Sequence, residues 1–145
     1  MNLINFFSEE TSFKLKNQKK TSAWINCVAD KENKSVESLN FIFCTDRYLL
    51  QINLKYLSHS TLTDIITFDQ SSDTSEGLEG DIFISIDRVK ENSKNLQIPF
   101  YEELRRVIIH GVLHLIGYTD KNPHSKALMR KKEDAYLSLR KRSFT

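Results

Sequence analysis

The stretch from Phe100 to Asp120 constrains this chain more than any other. Leu104, Val107, Ile108, Gly111 and Leu115 recur at three- and four-residue intervals, and the stripe predicts a helix over Phe100 to Ile116 lying against a core. That helix carries His110 and His114. Residues four apart on a helix differ by about 40° in direction and ~6 Å in height, so the two imidazoles project side by side from one face. Gly117 stands where the helix must stop, because glycine tolerates the left-handed conformation that reverses the chain. The turn then carries Asp120 back toward the histidines.

Two imidazole nitrogens and one carboxylate suit a divalent ion, zinc above others, one per chain, with a fourth position left for water as in a catalytic site. His124 competes with Asp120 for the third place, since imidazole is the commoner zinc ligand. However, Asn122-Pro123 reads as an N-cap followed by Pro at the first helical position, which puts His124 in the first turn of a new helix. The expected ligands are His110, His114 and Asp120. The spacing follows the extended zinc pattern of the metzincin proteases, with Asp as third ligand and Gly111 where those enzymes have their general-base Glu. Glycine moves no proton, so peptide hydrolysis by that route is disfavoured.

Around this helix the chain reads as a single α+β domain over residues 1–145, a small mixed sheet of about four strands packed by about five helices, one of them a zincin-like metal helix. Strands are expected at Asn2 to Phe7, Leu39 to Cys44, Thr63 to Phe68 and Gly80 to Ile86. Helices are expected around Ala23 to Ala29, over Arg47 to Leu57 behind a Thr45-Asp46 cap, from an Asp87 cap to about Asn95, and over Pro123 to Arg140. Asp69 to Glu79 is a polar connection.

A net charge of +2 is too small to announce a nucleic-acid binder. The basic runs Lys14 to Lys20, Arg130 to Lys132 and Arg140 to Arg142 read first as solvated faces. Only Cys27 and Cys44 are present, with no C-x-x-C pair, so a disulfide framework or thiolate zinc site is not expected. Cys44 ends an apolar strand and reads as a small buried hydrophobe. The apolar stretches are far shorter than the ~20 residues that cross a bilayer, and a cytoplasmic protein without a membrane anchor is expected.

HGVLHLIGYTD, His110 to Asp120, resembles the signature H-G-x-L-H-L-x-G-Y-D-H of the YbeY family, with Thr119 for its Asp and Asp120 for its third His. Asn53 to Tyr56, then TDIITF from Thr63, resembles that family's L-N-x-x-Y-R stretch followed by T-D-V-L-S-F, and Gly80-Asp81-Ile82 its G-D-I strand. The resemblance implies a zinc-dependent endoribonuclease of single-stranded RNA, acting in ribosomal RNA maturation and ribosome quality control. Its implied partners are ribosomal RNA and the small subunit or its proteins. Leu57 stands where the family pattern carries an Arg thought to meet a phosphate. The candidates to replace that cation are His59, Arg88 and Arg106, and Tyr118 is a minor candidate for stacking on substrate. Two other readings stay open. One is a ribosome-assembly RNA-binding factor whose metal is mainly structural, and the other is a metal-dependent hydrolase of another substrate.

Overall fold

The computed structural model describes residues 3–57, 62–71 and 77–144. Their elements, in chain order, are β1 (Ile4–Ser8), α1 (Gln18–Lys31), β2 (Ser35–Cys44), α2 (Asp46–Leu57), β3 (Ile65–Asp69), β4 (Gly77–Ser85), α3 (Ile86–Leu96), α4 (Phe100–Ile116) and α5 (Pro123–Ser143). The four strands form one mixed sheet in the order β1-β2-β4-β3, with β1, β2 and β4 parallel and β3 antiparallel to β4. The α+β reading therefore holds, with four strands and five helices among the described residues.

Side chains on successive strand residues point to opposite faces, and the sheet uses both. On one face Leu39, Phe41 and Phe43 of β2 and Ile82 and Ile84 of β4 pack in the main core with Trp24 and Ile25 of α1 and Leu104 and Ile108 of α4. On the other face Cys44, Leu49 and Ile66 form a smaller cluster with Tyr48, Ile52, Phe68 and Phe83, where α2 lies. Burying a Leu, Ile or Phe side chain contributes roughly 1.5–3 kcal/mol, so the first face carries most of the apolar stabilisation.

Several boundaries differ from expectation: α1 begins at Gln18 rather than near Ala23, and β4 at Gly77 rather than Gly80, so that it takes in the end of the expected polar connection. Two further differences have clear physical reasons. The strand expected from Leu39 starts at Ser35, because Ser35-Val36-Glu37 alternates exposed, buried, exposed and pairs with β4 across a register shift between Val36 and Ser38. The cap of α3 is Ser85, whose hydroxyl accepts from the Arg88 N–H, rather than Asp87. Strand β4 runs into α3 without a loop, so its last residue is already at the capping position. The Asp87 carboxylate instead accepts from the backbone N–H of Asp46 at 2.9 Å and ties the starts of α3 and α2 together. Thr45 caps α2 as read, its Oγ1 accepting from the Tyr48 N–H at 3.1 Å.

Candidate metal centre

The helix that carries the histidines can sit close to the sheet because residue 111 has no side chain. A Cβ there would lie 2.8 Å from Ile65 Cδ1 and 3.1 Å from Ile82 Cγ2. Gly111 therefore faces the sheet, and a carboxylate at this position would point into β3 and β4 rather than toward an ion. At the end of α4, Gly117 has φ 127°, its N–H donates to His114 O, and the Tyr118 N–H reaches back to Leu113 O at 3.0 Å. This is the pattern of bonds by which a positive-φ glycine closes a helix. It reverses the chain and brings Asp120 over the final turn.

His110 and His114 stand with ring centroids 4.5 Å apart and planes at 79°. Nε2 of His110 is 3.5 Å from Asp120 Oδ2, and Nε2 of His114 is 3.7 Å from Asp120 Oδ1. One ligand atom from each of these three residues falls within 4.8 Å of the others. A tetrahedral ion with ligands at ~2.0–2.1 Å needs donors about 3.4 Å apart, so the donor set fits a zinc-sized ion with small side-chain adjustments. His124 is exposed in the first turn of α5, capped by Asn122, and is not part of the cluster.

Behind His110 stands Glu133, buried on α5, whose Oε2 is 2.7 Å from His110 Nδ1. This contact fixes the ring with Nε2 facing Asp120 and favours the tautomer protonated on Nδ1. Arg106, one turn before His110, donates to Glu133 Oε1 at 2.9 Å and to Asp134 Oδ1 at 2.8 Å. Burial raises the pKa of Glu133, but the hydrogen bonds from His110 and Arg106 outweigh it and leave the carboxyl below its ordinary value. Burial likewise opposes a charged His110, yet Glu133, Asp120 and Asp64 outweigh it and raise its pKa. For His114, burial and the neighbouring His110 both act to lower it.

Of the cations considered from the sequence, Arg106 borders the metal cavity with both terminal nitrogens directed to carboxylates. Arg88 lies at the start of α3 and pairs with Asp46 at 2.9 Å. It is not among the residues lining that cavity. His59 lies outside the described residues. The Tyr118 hydroxyl is engaged elsewhere, donating to Glu32 Oε1 at 2.6 Å. Burial pushes the Cys44 thiol up to about 12, in keeping with an inert core residue.

Three acidic residues of the cavity were not singled out in the sequence: Glu133, Glu103 and Asp64. A signal existed for the first. Met129, Glu133, Tyr136 and Arg140 fall on one buried stripe of α5, and a carboxylate on such a stripe needs a partner. Glu103 likewise sits among the buried residues of α4.

A family model described as Endoribonuclease YbeY matches residues 3–140. A protein of Karelsulcia muelleri named Endoribonuclease YbeY is 54% identical over 98% of this chain and 99% of its own length. The protein of the same name from Cytophaga hutchinsonii is 51% identical over 95% of this chain and 96% of its own. Among solved structures, that of TM1509 from Thermotoga maritima superposes with a TM-score of 0.63 at 23% identity, covering 93% of this chain and 87% of that one, which shows a shared fold.

Proposed function

Because the chain belongs to the YbeY endoribonuclease family, we propose that it is a zinc-dependent enzyme that cuts single-stranded ribosomal RNA during ribosome maturation and quality control. In this reading it works in the cytoplasm and meets the small ribosomal subunit or its proteins; among the described residues no helix is long and apolar enough to cross a membrane. The observation that carries the proposal is the gathering of His110, His114 and Asp120 within 4.8 Å on a member of this family.

His110, His114 and Asp120 would hold one ion, and Lewis acidity toward water and the attacked phosphodiester is the chemistry it would supply when bound. The remaining chemistry belongs to the protein. Glu133 keeps His110 Nε2 aimed and its lone pair available. Arg106 holds Glu133 in place, which makes it a positioning residue before it is a phosphate ligand. Lys126 and Arg130, exposed on α5 at the edge of the cavity, supply positive charge for RNA phosphates on either side of the cut. Arg88, bound to Asp46, contributes at most at a distance.

The test is incubation of the purified protein, with and without added zinc, with single-stranded ribosomal RNA, duplex RNA and a casein peptide. Zinc-dependent internal cleavage confined to the single-stranded RNA is expected. RNA binding without cleavage at any metal concentration would favour a binding factor with a structural ion, and casein cleavage a different hydrolase.

A further inference from the structure

The cavity that His110 and Asp120 help to line has a volume of about 340 Å³, and its walls are not those of a plain electrostatic groove. Ile65, Val107 and Met129 give it apolar sides, with Val107 and Met129 buried. Glu103 and Asp64 line it as well, and Lys126 and Arg130 border it. Glu103 is only 6% exposed, and its Oε1 is buried without a hydrogen-bond partner among the described residues. A buried acceptor left unpaired is costly, and a donor entering the cavity beside Glu103 would relieve that cost.

The position relative to the ion matters too. Glu103 and His110 are seven residues apart on α4, two turns along one face, or ~10 Å at 1.5 Å per residue. A group reaching Glu103 is therefore about one nucleotide's reach from the metal ligands. Apolar walls suit the faces of a flat ring, and a carboxylate at the end suits a ring edge that offers N–H donors. Burial raises the pKa of Glu103, with Asp64 adding to it, so its charged form is costly in an empty cavity and gains from such donors.

We propose that this cavity is a nucleobase slot next to the metal centre, in which Glu103 accepts hydrogen bonds from the adjacent N1–H and N2–H donors of an unpaired guanine. Uracil presents acceptors on both sides of its single N–H and leaves the carboxylate poorly matched. Adenine and cytosine each place a ring acceptor beside their amino group, and they rank between. Lys126 and Arg130 take the phosphates flanking the seated nucleotide. A base stacked in a duplex cannot enter the slot, which gives single-strand selectivity a physical cause. The inference rests on the RNA-cleaving reading above and adds to it a specificity-determining residue, Glu103.

The experiment compares calorimetric binding of 5′-GMP, IMP and UMP to the zinc-loaded protein. All three carry the same phosphate, so contacts to the ion cancel in the ratios. GMP is expected to bind at least about tenfold tighter than UMP, with IMP, which lacks the 2-amino donor, in between. Glu103→Gln exchanges one acceptor for a donor and should bring GMP and UMP to within about twofold. Equal binding of GMP and UMP by the wild-type protein overturns the slot, with no variant needed. So does a GMP preference that survives Glu103→Gln in a folded protein. A parallel assay on single-stranded oligonucleotides with one guanine separates the two proposals. Cleavage without base preference removes the slot and keeps the nuclease, whereas GMP selectivity without cleavage under any divalent ion keeps the slot and removes the nuclease.

Discussion

As the proposed third ligand, Asp120 would offer an ion a harder donor than a third imidazole, and its two oxygens face His110 and His114 separately. Metal content after purification should therefore collapse in Asp120→Ala and persist in His124→Ala, since His124 stays in the exposed first turn of α5. Loss in the second variant and retention in the first would reverse the ligand assignment. Glu133 allows a finer test, because it touches His110 without belonging to the ligand cluster. Glu133→Gln is expected to lower zinc affinity by about 10–100-fold with the fold intact, read by competition with a chelating dye. The gathering of the two histidines and Asp120 was legible in the sequence because one helix and one turn set their spacing. Glu133, Glu103 and Asp64 were not, because each gains its meaning from an element distant along the chain. Leu57 in place of a family Arg is exposed at the end of α2, and nothing among the described residues explains it.

Helix α4 shows two glycines with opposite physical demands. At Gly111 the obstacle to a side chain is space, since a Cβ meets Ile65 and Ile82. At Gly117 nothing lies within 4 Å and the obstacle is the φ of 127°. Gly111→Ala should lower stability by about 1–3 kcal/mol through displacement of the helix from the sheet. Gly117→Ala should cost roughly 1 kcal/mol through backbone strain alone. Chemical denaturation measures both, and only the first should also disturb the hydrophobic core seen by Trp24 fluorescence. Such elements read well from sequence where signals coincide: α4 has its stripe and its glycine stop, and α5 its Asn122 cap with Pro123. They read poorly where a strand meets a helix without a loop, as at Ser85, or where polar residues pair at the sheet margin, as at Ser35.

Across the whole molecule the sheet order β1-β2-β4-β3 could not be read from the sequence, because it depends on which strands meet after crossover rather than on any local pattern. The same is true of the polar knot at Glu32, the residue that follows α1. Its carboxylate accepts from Tyr118, from Tyr136 and from Lys132, and thereby joins the metal loop to α5. Burial raises the Glu32 pKa, but these three donors outweigh it and hold the carboxyl below its ordinary 4.5. A depressed folded pKa means a contribution to stability that is present above the unfolded value and lost as pH falls through the folded one. Unfolding measured below about pH 4.5 should therefore show a steeper acid loss in the wild type than in Glu32→Gln, and equal slopes would remove Glu32 from that role. Glu32 is separated from Tyr118, Lys132 and Tyr136 by 86, 100 and 104 residues. A growing polypeptide thus carries both histidines before it has Glu133 behind the first of them or the full tether of the ligand loop. The centre is completed only when α5 has been synthesised and docked, which makes the order of synthesis itself a delay on the appearance of an RNA-cutting site.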